Sequence, residues 1–262
     1  MADLGKHGFL GMCIKLDMSY ILNTPSSQES GELAMLREIN GFILKQNHSI
    51  DIKIGSDIFR NIYGINKVKG TPKADLALVT FNTSTSKFEE VCFLSHKKGK
   101  SIKDFGQWSG MTESAGTAIS NNKLVKEFIA QVQKTVDQTF KNKKITNTLT
   151  IAKKIPTNSP LINLSMYGPN YGGPYGYNNV NYILQGDPSF TAVSTTVFIL
   201  KMSGHIIKNG ERPQDAMVLM AYRKGAAADR SQFGVNARFV IQAENSRPIH
   251  FMLNEAGKLV EK

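Results

Sequence analysis

Apolar positions along the chain fall into two periods. Between residues 24 and 45 (TPSSQESGELAMLREINGFILK), Leu33, Leu36, Ile39 and Ile43 recur at helical spacing behind Pro25 and Ser26, which predicts an amphipathic helix. The run from Asn121 to Phe140 sets Val125, Phe128, Ile129, Val132, Val136 and Phe140 on one side of a second helix. That helix ends in the basic tract Lys141, Lys143, Lys144. Short strand-like runs cover residues 50–54, 76–81 and 91–95.

The pattern changes near residue 156. Residues 156–186 are rich in Pro, Gly, Asn and Tyr (SMYGPNYGGPYGYNNVNYILQG), which is loop chemistry. Strand-like runs follow at 190–201, 216–223, 236–242 and 249–253. The expectation is an α/β protein with an α/β portion over residues 1–155 and a β-rich portion over 156–262. The two are either separate domains or parts of one mixed sheet.

Composition narrows the class. With 262 residues and 41% hydrophobic content, the chain can bury one large core or two modest ones. Charged residues at 20% and aromatics at 9% exclude a disordered tail. No stretch approaches the roughly 18 apolar residues of a membrane span. Asp3, Lys6, Lys15 and Asp17 interrupt the N-terminal apolar residues, unlike a signal peptide. Two cysteines, Cys13 and Cys92, make no disulfide framework. A soluble, cytoplasmic protein with no membrane association is expected. Lys and Arg number 32 against 21 acidic residues, a net charge of +11, and that field favours polyanions, chiefly nucleic acid.

The stretch with most chemistry is KADLALVTFNTSTSKFEEVCFLSHKKGKSIKDFGQWSG, residues 73–110. Asp75 opens one apolar strand, NTSTS forms a turn, and the next strand ends in Ser95-His96-Lys97-Lys98. Strand side chains alternate, so Ser95 and Lys97 share one face while His96 and Lys98 take the other. A hairpin then brings Asp75 to Ser95 and Lys97 at one sheet edge. A carboxylate and a lysine placed so can hold a divalent cation and a water against a phosphodiester.

This order (a helix bearing glutamate, a strand opened by Asp, a turn, a strand ending in x-Lys) resembles the PD-(D/E)XK nuclease superfamily. The run from KAD through SHKKG to FGQWSG is similar to phage-encoded members. The resemblance implies a restriction-endonuclease-like core, a mixed central sheet flanked by helices. It implies Mg²⁺ (or Mn²⁺) on Asp75, and Lys97 orienting or deprotonating the attacking water. Ala74 replaces the family's proline. Ser95 stands where Asp or Glu is usual, and a serine supplies no negative charge to a metal.

A further carboxylate is then needed, and the family often takes it from the preceding helix. At 100° per residue Glu29 and Glu32 fall within the arc of Leu36 and Ile43, with Glu38 opposite. Glu29 is the first choice as a catalytic and metal-binding residue and Glu32 the second. Ser26-Ser27-Gln28-Glu29 equally fits a capping box. Glu90 has the wrong strand parity and lies roughly 17 Å along the strand from Ser95. Lys98, Lys100 and Lys103 suit phosphate contacts, and Gln107 suits a sugar or base edge. Trp108 reads as core. Of Tyr167, Tyr171, Tyr175, Tyr177 and Tyr182, a structural loop-stapling role is favoured over base stacking.

Other motifs fall away. Gly99-Lys100-Ser101 lacks the glycine five residues earlier that a P-loop needs, because Leu94 is there. Gly168–Gly176 lacks the dinucleotide-binding spacing. His7, His48, His96, His205 and His250 have no metal-ligand spacing. The reading is a metal-dependent endonuclease that hydrolyses DNA phosphodiester bonds in the host cytoplasm of a phage. Double-strand cleavage would call for a homodimer. The alternative is a non-catalytic DNA-binding or phage structural protein on a degenerate nuclease scaffold.

Overall fold

The computed structural model describes residues 31–70, 72–139, 150–213, 216–222 and 237–262. Met35, Leu36, Ile39 and Ile43 form the buried stripe of helix α1 (Gly31–Gln46). This is the first helix expected from the apolar period. Behind it the chain runs β1 (Ile50–Ile54), β2 (Asp57–Lys67), β3 (Leu76–Asn82) and β4 (Lys87–Lys97) as an antiparallel meander. Strands β7 (Tyr182–Gln185), β8 (Pro188–Ala192), β9 (Val197–Met202) and β10 (Ile206–Lys208) complete an eight-stranded mixed sheet. Its order is β10-β7-β4-β3-β2-β1-β9-β8, with β7 parallel to β4 and β9 parallel to β1. Alternate residues of the sheet (Ile50, Ile52, Leu76, Leu78, Cys92, Leu94, Leu184) pack with the α1 stripe into one core.

The run at 190–201 is two strands rather than one. The Ser194 hydroxyl accepts the backbone N–H groups of Thr196 and Val197, folding a serine-built turn that carries no Gly or Pro. Residues 156–186 also hold more than loop. They contain β7 and the short helix α4 (Pro160–Tyr167), capped by the Ser159 hydroxyl.

A second unit has its own six-stranded sheet, ordered β14-β13-β6-β11-β12-β5. Its strands are β5 (Gln107–Gly110), β6 (Thr150–Lys154), β11 (Met217–Tyr222), β12 (Arg238–Ala243), β13 (Phe251–Leu253) and β14 (Leu259–Glu261). Among its described strands only β13 and β6 pair in parallel. The unit also holds the short helix α2 (Thr117–Ser120), α4, and α3 (Lys123–Thr139), where Val125, Phe128 and Val132 are buried and Phe128 meets Phe239 edge-on.

The protein is thus mixed α/β with two mixed sheets, and strands dominate. The two compact units interleave along the chain. One holds residues up to Ser101 with Gly172–Glu211, and the other Ile102–Tyr171 with Arg212–Lys262. A cut at 155/156 does not follow this division. Strand β6, just before the cut, is central to the second sheet, and β7, just after it, pairs with β4 in the first. No helix among the described residues is long and apolar enough to cross a membrane.

Candidate functional site

Asp75 sits where three backbone segments converge. Its N–H donates to Leu94 O at 2.9 Å, its carbonyl accepts from Val68 N–H at 3.0 Å, and the preceding Ala74 N–H donates to Tyr177 O at 2.8 Å. The carboxylate is held as firmly. Oδ2 accepts the Ser95 hydroxyl at 3.0 Å and the His96 backbone N–H at 2.7 Å. Oδ1 accepts no hydrogen bond among the described residues. Ser95 is 1% exposed, so the carboxylate is the partner that makes its burial tolerable.

The hairpin therefore brings Asp75 and Ser95 together, and Lys97 follows two positions on along the same face. Burial holds the Lys97 ammonium below the usual lysine range, while the charges of Asp75 and then Glu32 pull the other way. Glu32, on the first turn of α1, is ion-paired to Lys67 at 3.2 Å. Glu29 lies outside the described residues, as does the capping box proposed for it. His96 turns to the α1 face and its Nε2 bonds Gly186 O at 2.9 Å, the hydrogen-bonding role its parity suggests. Gly31 leaves room there for the His96 and Lys98 side chains: a Cβ at this position would stand 2.9 Å from His96 Cε1.

Two participants escaped the sequence reading. Lys73 is coupled to both Asp75 and Lys97. Burial first, and then the Lys97 charge, push its ammonium well below the usual range, with Asp75 opposing. Its spacing of two residues before Asp75 was the available signal. Gln185 pairs with Lys97 across the β4–β7 ladder and is fully buried. Its Nε2 donates to Ser101 O at 2.7 Å, and its Oε1 lies 2.7 Å from His205 Nδ1, which fixes the loop after Lys97. No local pattern marks that role, because Gln185 arrives from a distant part of the chain.

Glu90 does not have the strand parity expected of it. Leu78 pairs with Cys92 but Val79 pairs with Glu90, so Val91 is a bulge residue. The skipped residue puts Glu90 on the face of Phe93 and Ser95. There it hydrogen-bonds the Tyr177 hydroxyl, which pushes that phenol up from its ordinary value.

The remaining candidates divide between the units. Lys98 and Lys100 are exposed on the loop after β4, in the unit that holds Asp75. Lys103 lies in a 3-10 turn (Ile102–Phe105) and Gln107 on edge strand β5, both in the other unit. Trp108 is buried against Phe105 at 4.6 Å between ring centroids. Among the described residues no three His, Cys, Asp or Glu side chains converge as a ready metal cage. What converges among them is one carboxylate, a hydroxyl and two lysines, an arrangement suited to a phosphate and a water. No protein-family model matches the chain, and comparison with curated proteins and with solved structures finds no match.

Proposed function

We propose that the protein is a divalent-cation-dependent endonuclease acting on DNA, with Asp75, Ser95 and Lys97 at its site. The observation that carries this reading is the convergence of the Asp75 carboxylate and Lys97 on one face at one end of the β3–β4 hairpin. Among the described residues one carboxylate oxygen takes no hydrogen bond. The order α1, meander β1–β4, then β7 parallel to β4 also supports a restriction-endonuclease-like core.

Asp75 Oδ1 and the Ser95 hydroxyl are oxygen donors of the kind that Mg²⁺ or Mn²⁺ takes, with Glu29 or Glu32 as the second carboxylate. Such a cation would supply positive charge at the phosphate and lower the pKa of a bound water. Lys97 holds the attacking water or a non-bridging phosphate oxygen. Ser95 keeps the carboxylate in one rotamer. Lys98 and Lys100 contact neighbouring phosphates, which adds affinity without sequence information.

Supercoiled plasmid and single-stranded circles incubated with Mg²⁺, Mn²⁺ or EDTA test the reading. Metal-dependent cutting should fall at least about a hundredfold in Lys97→Ala and in Asp75→Asn, the loss typical of a missing proton-transfer or positioning group. Asp75→Asn keeps an oxygen to accept the Ser95 and His96 bonds, so the fold survives. Cutting that persists in both variants sinks the assignment.

A second reading has its own observation. Ser95 stands at an acid's position and its hydroxyl is spent on Asp75, as in a scaffold that binds DNA without cutting it. That protein would retain DNA in a salt-sensitive, EDTA-insensitive way and never cleave it.

A further inference from the structure

The structure splits the tyrosine cluster. Tyr167 and Tyr182 are buried, whereas Tyr175 and Tyr177 keep 53% and 49% of their surface exposed. Both exposed rings belong to the unit that carries Asp75. Their loop is rigidly tied. Gly176 and Asn179 exchange backbone hydrogen bonds at 3.0 and 3.1 Å. Asn179 Nδ2 donates to Gly173 O at 2.7 Å, and Asn209 Nδ2 donates to Val180 O at 2.6 Å. Asn181 and Phe93 are doubly bonded, each at 2.8 Å.

Tyr177 is placed by the site itself. Its carbonyl takes the Ala74 N–H, one residue from Asp75, and its ring stands edge-on to Phe93 at 5.3 Å and 88°. Its hydroxyl is anchored to Glu90. The bulge at Val91 is what turns Glu90 to this face, so the backbone irregularity serves the tyrosine. A half-exposed ring already fixed in place loses little entropy when it binds. The Glu90 carboxylate beside it repels a phosphate and leaves room for an uncharged group. A Cβ at Gly176, between the two tyrosines, meets no atom within 4 Å.

We propose that Tyr177, with Tyr175 two residues away in the same loop, is a stacking platform for unpaired nucleobases of the strand whose phosphates lie at Asp75 and Lys97. This deepens the nuclease reading and rests on it for the position of the phosphates. The preferred substrate is then single-stranded or locally unpaired DNA, because a duplex hides its base faces and presents only edges to a protein side chain.

Stacking is measurable without cleavage. The full chain is titrated in EDTA into a fluorescein-labelled single strand, and separately into its duplex. The single strand should bind more tightly. Tyr175→Ala combined with Tyr177→Ala should lose about tenfold or more on the single strand, the scale of one to two lost stacks, and leave the duplex unchanged. Tyr177→Phe, which drops the Glu90 bond and keeps the ring, should lose clearly less than the double alanine variant. Gly176→Ala should match the parent and reports on loop integrity.

Equal losses on both substrates, a preference for duplex, no binding to either, or a Tyr177→Phe loss as large as alanine's each overturns the platform. Intact single-strand stacking in a protein that cuts nothing overturns the nuclease reading alone. Cutting that needs Asp75 in a protein without stacking overturns the platform alone.

Discussion

The Tyr182 hydroxyl has one proton and two acceptors, Asp57 Oδ2 at 2.7 Å and Ile54 O at 2.9 Å. Lys208 Nζ meets the other Asp57 oxygen at 2.8 Å, so one carboxylate ties the β1–β2 turn to β7 and β10. Lys208, then Tyr182, hold the Asp57 carboxyl below its ordinary value. A depressed carboxylate contributes stability above the unfolded-state value, near pH 4, and loses it as pH falls through the folded one. Asp57→Asn should therefore lower the urea midpoint modestly at neutral pH, the pair being solvent-screened. The gap to the parent should close as the pH falls below the ordinary carboxylate range and through the depressed folded-state value. A gap that stays constant with pH would assign the loss to packing. At this scale the Asp75–Ser95 contact was legible from the two ends of the hairpin, although the register that pairs them depends on the bulge at Val91. Glu90 was not, because a bulge reverses parity and leaves no mark in composition. Lys73 was hidden by its ordinary look as a charge before a strand.

Among the elements, α1 owes its seat to a polar residue. Asn40 is 1% exposed on the buried stripe, donating to Ile65 O at 3.0 Å and accepting Ile65 N–H at 2.7 Å. Ile65 follows the irregular stretch of β2, where the register shifts between Ile62 and Gly64. The asparagine amide thus serves backbone groups beside a break in the ladder. Asn40→Leu keeps the volume and orphans both groups, which should cost about 2–4 kcal/mol in chemical denaturation. A cost below about 1 kcal/mol would mean that water or a backbone shift satisfies them. Apolar periodicity located α1, α3 and most central strands, since burial of one face is what shapes both sequence and element. It had no purchase on Asn40, which looks like a flaw in the stripe until its partner strand is in place. Strand β7 was lost for another reason: four fully buried residues at the end of a Gly-rich stretch show no alternation.

For the whole molecule the interleaving matters most. Sheet one draws β7 to β10 from beyond residue 171, and sheet two draws β5 and β6 from before it. A fragment of residues 1–155 keeps the β1–β4 meander but deprives β4 and β1 of their parallel partners and splits the second sheet. It should show no cooperative urea transition by circular dichroism, whereas the full chain should. A cooperative fragment would refute the interleaved organisation. Charge and length announced a basic protein with room for two cores. The crossing of the chain between them is a long-range pairing, and no window of neighbouring residues encodes it.

Synthesis runs in one direction, and this gives β4 a further task. Phe93 waits across 88 residues of chain for Asn181, so the nascent hairpin has an open strand edge while β5 and β6 of the second sheet are being made. An unpaired edge recruits strands from other chains unless charge discourages them. Lys97, Lys98 and Lys100 crowd the end of that edge. Like charges at that edge oppose its pairing with a second copy of the same nascent hairpin on the polysome.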